Sequence, residues 1–314
     1  MKLTARPWWP WAKRALVAAF FLAVAYTLVR YARGVDWGEV KNALLELPRS
    51  VLLQAMVLAA LSHTVYSLLD LVGRYYTGHR LGKRKTMQVS FISYAFNLNL
   101  GSLVGGVGFR YRLYSRLGLG YGQITRILTL SMVTNWLGYI LLAGLVFTIA
   151  PLQLPPHWKL DSEGLRMLGV VLLGACFGYL LLCGISKKRS WTVRGHEIEL
   201  PTLRMALGQL GISSTHWIFM SAVPWVLLQG QVDFPTAMSV LLIAAIAGVI
   251  VHIPAGLGVV EAVFIALLSH RIPEHQLLGA LLAYRAVFYV APLIVGALLY
   301  LKVEVRARKH VAAA

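Results

Sequence analysis

Residues 96–126 read FNLNLGSLVGGVGFRYRLYSRLGLGYGQITR. The stretch begins as an apolar membrane segment and dissolves into glycine at Gly101, Gly105, Gly106 and Gly108. Arg110, Arg112 and Arg116 follow at once, interleaved with Tyr111, Tyr114 and Tyr121. Glycine lets a helix end and lets backbone approach a neighbour closely. Broken backbone at membrane depth survives only where protein or a water-filled cavity surrounds it. A second, shorter break stands far down the chain at 252–261, HIPAGLGVVE. These two interruptions decide the fold: a helical membrane scaffold that brings them together.

Composition supports a polytopic membrane protein. Of 314 residues 58% are hydrophobic and 13% charged, with mean hydropathy +0.67. Apolar runs near bilayer length recur throughout. The net charge of +18 argues against nucleic-acid binding by its distribution, since the basic residues lie in short clusters between apolar runs. Cys176 and Cys183 fall in one apolar run and read as small hydrophobes. Basic residues precede the run Ala15–Val29, which continues without a small-residue cleavage site and is expected to remain as a first transmembrane helix.

Helices are expected at about 14–32, 50–73, 86–106, 123–149, 164–185, 203–229, 236–252, 257–269 and 277–301, with a basic loop at 187–201. One membrane domain covers 1–314. The expected class is an all-α polytopic membrane protein, a helical bundle with two re-entrant or broken segments. An inverted repeat is one arrangement of its halves. If 86–106 enters and leaves on the same side, and 236–269 does likewise from the other side, segments 1–14, 74–85, 107–123, 186–204 and 302–314 share a face and hold 21 Lys and Arg, against 7 in 30–49, 150–166 and 270–276. The positive-inside rule then makes that face, and both termini, cytoplasmic.

The glycine breaks, NLNLGSLVGGVGFRYRLYSRLG at 97–118 and PAGLGVVE at 254–261, resemble those of the lysyl-phosphatidylglycerol synthase/flippase transmembrane family. The similarity covers almost the whole chain. It implies a helical domain with re-entrant segments that moves or handles lipid in the bacterial cytoplasmic membrane. No C-terminal soluble aminoacyltransferase domain is expected, so lysyl transfer is not carried over. Ala255 stands where relatives often have glycine, which makes that turn less open.

The candidate substrate site comprises Asn97, Gly105, Gly106, Gly108, Arg110, Tyr111, Arg112 and Arg116. Arginine offers an always-charged fork suited to phosphate, and free backbone N–H groups at a break can hold an anion. Arg112 and Arg116, four apart, share a helical face. The alternative is that these arginines only set topology. Glu261 and Arg285 both lie within apolar runs, where charge is costly and marks a function or a structural pair. With His252, Gly256 and Gly258 they form the candidate coupling or gating group. His252 reads equally as a hydrogen-bonded interfacial residue. His63, Tyr66 and Asp70 make a polar stripe expected to face the bundle interior, and Asn99, Ser131 and Asn135 could add hydrogen bonds around the first break. Gly174 and Gly178 form a GxxxG expected to pack closely.

The sequence has no DDxxD-like pair or HExxH motif, so no metal or cofactor is expected. The reading is an inner-membrane transporter of anionic phospholipid, of the phosphatidylglycerol or cardiolipin type. A lipid-modifying enzyme and an accessory scaffold for a lipid-synthesis enzyme remain the alternatives. Oligomeric state is not legible.

Overall fold

A computed structural model describes residues 36–152, 154, 161–187, 190–193, 196–251 and 256–312. The expected first helix at 14–32, the centre of the proline-rich loop, and His252, Pro254 and Ala255 lie outside the described residues. The protein is an all-α polytopic membrane protein. Its helices are α1 (Trp37–Leu45), α2 (Arg49–Ser67), α3 (Leu69–Thr77), α4 (Lys83–Leu100), α5 (Phe109–Arg116), α6 (Tyr121–Ile149), α7 (Ser162–Ile185), α8 (Leu203–Leu227), α9 (Phe234–Val251), α10 (Val259–Leu268), α11 (Glu274–Arg285) and α12 (Ala291–Ala312). Two π-helical segments interrupt them, Ser102–Gly108 before α5 and Ala286–Val290 between α11 and α12. Among the described residues five stretches are long and apolar enough to cross a membrane: Arg49–Thr77, Tyr121–Ile149, Ser162–Ile185, Phe234–Val251 and Glu274–Val305.

Several boundaries differ from the sequence reading. The loop before α2 holds α1, whose N-terminus is capped by Asp36 accepting from the Gly38 and Glu39 N–H groups. The basic loop after α7 contains a short antiparallel strand pair, Ser190–Val193 with His196–Glu199. The expected last helix is split by the second π-helical segment. Gly174 and Gly178 do not pack closely against any of the described residues, since a β-carbon at either position would meet none of them within 4 Å.

The break after α4 makes a hairpin. Gly101 turns the chain, and the π-helical segment returns along α4 so closely that a β-carbon on Gly105 would lie 2.2 Å from the Phe96 carbonyl group. Only glycine permits that approach. The stacked rings of Phe96 and Phe109 hold the returning strand of the hairpin. At the second break Gly258 begins α10 with a left-handed φ of +77°, which aims this short helix back against α9. The main core is built from α2, α6, α8, α9, α10 and α11. A smaller one, centred on Ile92, Tyr114 and Ile127, seats the α4–α5 hairpin on α6.

Candidate functional site

The first hairpin delivers Arg110 to the interior. Asp70, in the first turn of α3, is fully buried and Arg110 is 4% exposed. The guanidinium meets the carboxylate as a fork, Nε donating to Oδ2 at 3.1 Å and Nη2 to Oδ1 at 3.1 Å. Nη1 donates to the Gly106 carbonyl at 3.3 Å. Tyr114, one turn beyond Arg110 and hence on the same face, donates its hydroxyl to Asp70 at 2.8 Å, and Ser131 of α6 donates at 2.9 Å. A charge at this depth is tolerable because the carboxylate is saturated with donors.

The second break carries a matching pair. Arg285, the last residue of α11, donates from Nε to Glu261 Oε1 at 2.6 Å and from Nη2 to Oε2 at 3.0 Å. Nη2 also donates to the Gly256 carbonyl at 2.8 Å. The guanidinium lies 5.0 Å from the centre of the Tyr289 ring, a cation–π contact. Each arginine thus joins one carboxylate to one glycine carbonyl of a broken segment.

Aromatic and histidine side chains run between the two pairs. Asn99, at the end of α4, donates to the Tyr289 carbonyl in the second π-helical segment at 3.2 Å, so the two halves touch at their interruptions. Phe288 packs on His63 at 4.7 Å between ring centres, and His63 on Tyr94 at 5.1 Å. Tyr94 stacks on Tyr66 at 3.5 Å, and Tyr66 lies under the Arg110 guanidinium at 5.9 Å. His216 of α8 closes the side, with Nδ1 2.9 Å from the Ser62 hydroxyl and Nε2 3.2 Å from that of Tyr94. The His63 Nδ1–H donates to the Ala59 carbonyl at 2.9 Å, while its buried Nε2 has no hydrogen-bond partner among the described residues.

The structure redistributes the residues singled out from sequence. Arg110 does not point from the break toward a ligand. Its fork is spent on Asp70 and Gly106, because burial without a counter-charge would be prohibitive. Gly105 and Gly106 are buried and permit close packing, and they do not form an open cradle; Asn97 packs beside Gly106, and Gly108 is exposed. Arg112 and Arg116 share a face as expected, and both engage Glu304 of α12, the contact from Arg112 being 3.4 Å. Tyr111 hydrogen-bonds Thr125 at 2.7 Å. Asn135 accepts through its backbone from Ser213 and Trp217. Sequence reasoning missed Tyr114, His216 and Glu304. An isolated histidine within the apolar run of α8 was the available signal for His216.

Comparison with known proteins agrees with this architecture. The family described as the lysylphosphatidylglycerol synthase transmembrane region matches residues 11–296. The chain is 49% identical to the inner membrane protein YbhN of Escherichia coli over 96% of each chain. It is 31% identical to protein slr0712 of Synechocystis over 90% of this chain and 88% of that one. A phosphatidylglycerol lysyltransferase of Staphylococcus haemolyticus is 24% identical over 91% of this chain, which there corresponds to 33% of the longer protein.

Proposed function

The chain belongs to the lysylphosphatidylglycerol synthase transmembrane-region family, and on that premise we propose that it is an inner-membrane transporter that carries anionic phospholipid between leaflets without altering it chemically. The observation that carries this reading is the repeated arginine fork. Asp70–Arg110 and Glu261–Arg285 each sit at a helix break, and Asn99, beside the first break, hydrogen-bonds Tyr289 in the π-helical segment that follows Arg285. A phosphate monoanion offers an arginine the same paired oxygens as a carboxylate. A headgroup entering between the halves could therefore replace Asp70 or Glu261 at its arginine, and the returning carboxylate would release it. Such an exchange keeps each arginine paired throughout, which matters because a stranded guanidinium at this depth is costly. In this mechanism Arg112 and Arg116, at the mouth of the hairpin, gather headgroups toward the path. Both breaks act as re-entrant segments of opposite sense, each entering and leaving on its own side.

The test is leaflet exchange in vesicles containing the purified protein. Fluorescent phosphatidylglycerol in the inner leaflet should become accessible to an added quencher, and phosphatidylcholine should lag behind it. The double variant Asp70→Asn, Arg110→Gln should fold and lose the exchange. Wild-type exchange no faster than in empty vesicles overturns the transporter reading, and chemical conversion of the lipid turns it toward an enzyme.

A further inference from the structure

A groove of about 500 Å³ opens on the side of the bundle between α2, α4 and α12. Its rim carries two cations, Arg84 near the start of α4 and Lys302 of α12, with Gln88 one turn inside Arg84. Below them the walls are apolar, formed chiefly by Met87, Phe91 and Leu299. Among the described residues no carboxylate lines it: Glu304, two residues beyond Lys302, is engaged by Arg112 and Arg116. Neither Arg84 nor Lys302 has an ion-pair partner among the described residues.

This distribution differs from that of a helix packing face. A packing groove is apolar to its edges, whereas here two unpaired cations cap an apolar trough on the surface of a membrane protein. Basic pockets between transmembrane helices suit anionic headgroups, and the volume falls within the range of small-molecule sites, roughly 300–1,000 Å³. The groove also leads inward. Ser67, on its floor, donates to the His63 carbonyl at 2.8 Å, and the Phe91 ring lies 5.9 Å from that of His63. His63 is 1% exposed, and its unpartnered Nε2 belongs to the aromatic chain that links the two arginine forks.

We propose that this groove is the seat of an anionic phospholipid, its phosphate between Arg84 and Lys302 and an acyl chain along Met87, Phe91 and Leu299. Resting on the transporter reading, it gives that reading an admission site distinct from the Arg110 hairpin. Charge complementarity selects the occupant: zwitterionic lipid carries its own ammonium group, which the two cations repel.

The experiment reads lipid retained after mild-detergent purification from vesicles of equal phosphatidylglycerol and phosphatidylcholine content. Wild-type protein should retain phosphatidylglycerol preferentially. Arg84→Gln and Lys302→Gln should each lower that preference roughly fivefold and the double variant roughly thirtyfold, at about 1 kcal/mol per basic residue near a lipid surface. The control is the exposed pair Lys83→Gln, Lys85→Gln, beside the groove and outside it. Unchanged retention in the double variant, or equal loss in the control, overturns the proposal. A phosphatidylglycerol analogue with a photoreactive acyl chain should cross-link to α4 and α12, and labelling confined to other helices also overturns it. Retention dependent on Arg84 and Lys302, without leaflet exchange by the wild type, upholds the seat and refutes transport. Exchange by the wild type with retention indifferent to both residues does the reverse.

Discussion

Asp70→Asn tests most directly whether the interior is held by paired charge. The substitution keeps the volume of the side chain and one acceptor oxygen but removes its charge. Four donor groups converge on the wild-type carboxylate: Arg110 Nε and Nη2, the Tyr114 hydroxyl and the Ser131 hydroxyl. With asparagine, the Arg110 guanidinium at 4% exposure loses its counter-charge. Breaking a buried pair from one side costs about 3–5 kcal/mol. At about 2–4 °C per kcal/mol for a mid-sized domain, the melting temperature in detergent should fall by on the order of 10 °C. Asp70→Asn with Arg110→Gln strands no charge and should recover most of that loss. Tyr114→Phe should cost less, about 1.5–3 kcal/mol, because it removes a single hydrogen bond to a charged group. A melting temperature for Asp70→Asn within about 2 °C of wild type would refute the reasoning, as would a double variant no more stable than the single.

Three further outcomes are expected. Glu261→Gln should destabilise by about 3–5 kcal/mol for the same reason. Its combination with Arg285→Gln should restore folding but not lipid movement, and wild-type exchange in the folded double variant would reduce that pair to a structural role. Gly105→Ala should cost at least 1–3 kcal/mol and separate the hairpin, since the new methyl would lie 2.2 Å from the Phe96 backbone; a fully stable Gly105→Ala protein would contradict the hairpin. A cysteine at Ser190 should be labelled only after cells are opened, and labelling in intact cells would overturn the cytoplasmic placement of the segment 186–204.

The long helices were legible because an apolar run the thickness of a bilayer has few alternatives to a helix. The breaks were legible too, since four glycines in eight residues at 101–108 cannot continue a buried helix unmarked. The pairing of Glu261 with Arg285 could be anticipated because each stood alone as a charge in its apolar run. The fate of Arg110 was not legible in the same way. Three arginines in seven residues look alike in sequence, and only the hairpin turns one inward and leaves its neighbours at the surface. The stripe His63, Tyr66 and Asp70 was seen to face inward, but its partners come from α4, α5, α6 and α8, and no periodicity along one helix names residues on another. The second π-helical segment escaped for a related reason: its wider turn leaves no compositional mark, and Ala286–Val290 reads as continuous helix.

The two arginine forks answer one physical problem. A helix that stops inside a bilayer releases carbonyl groups with no water to receive them, and each unsatisfied one costs several kcal/mol. A guanidinium can donate to a carbonyl and a carboxylate at once, in one plane and with its own charge neutralised; an ammonium group has neither that geometry nor that permanence of charge. In the first half the arginine lies on the hairpin that contains the break, receives the Gly106 carbonyl, and finds its carboxylate on α3. In the second half the carboxylate lies on α10, beside the break, and the arginine reaches in from α11 to take the Gly256 carbonyl. The roles are exchanged, yet each fork ties a glycine carbonyl of its break to a neighbouring helix, and Asn99 ties the end of α4 to the second π-helical segment. Any group able to compete for an arginine therefore loosens a carboxylate and a helix junction together. Under the transporter proposed above, that coupling would give an anionic headgroup the means to move the two halves against each other.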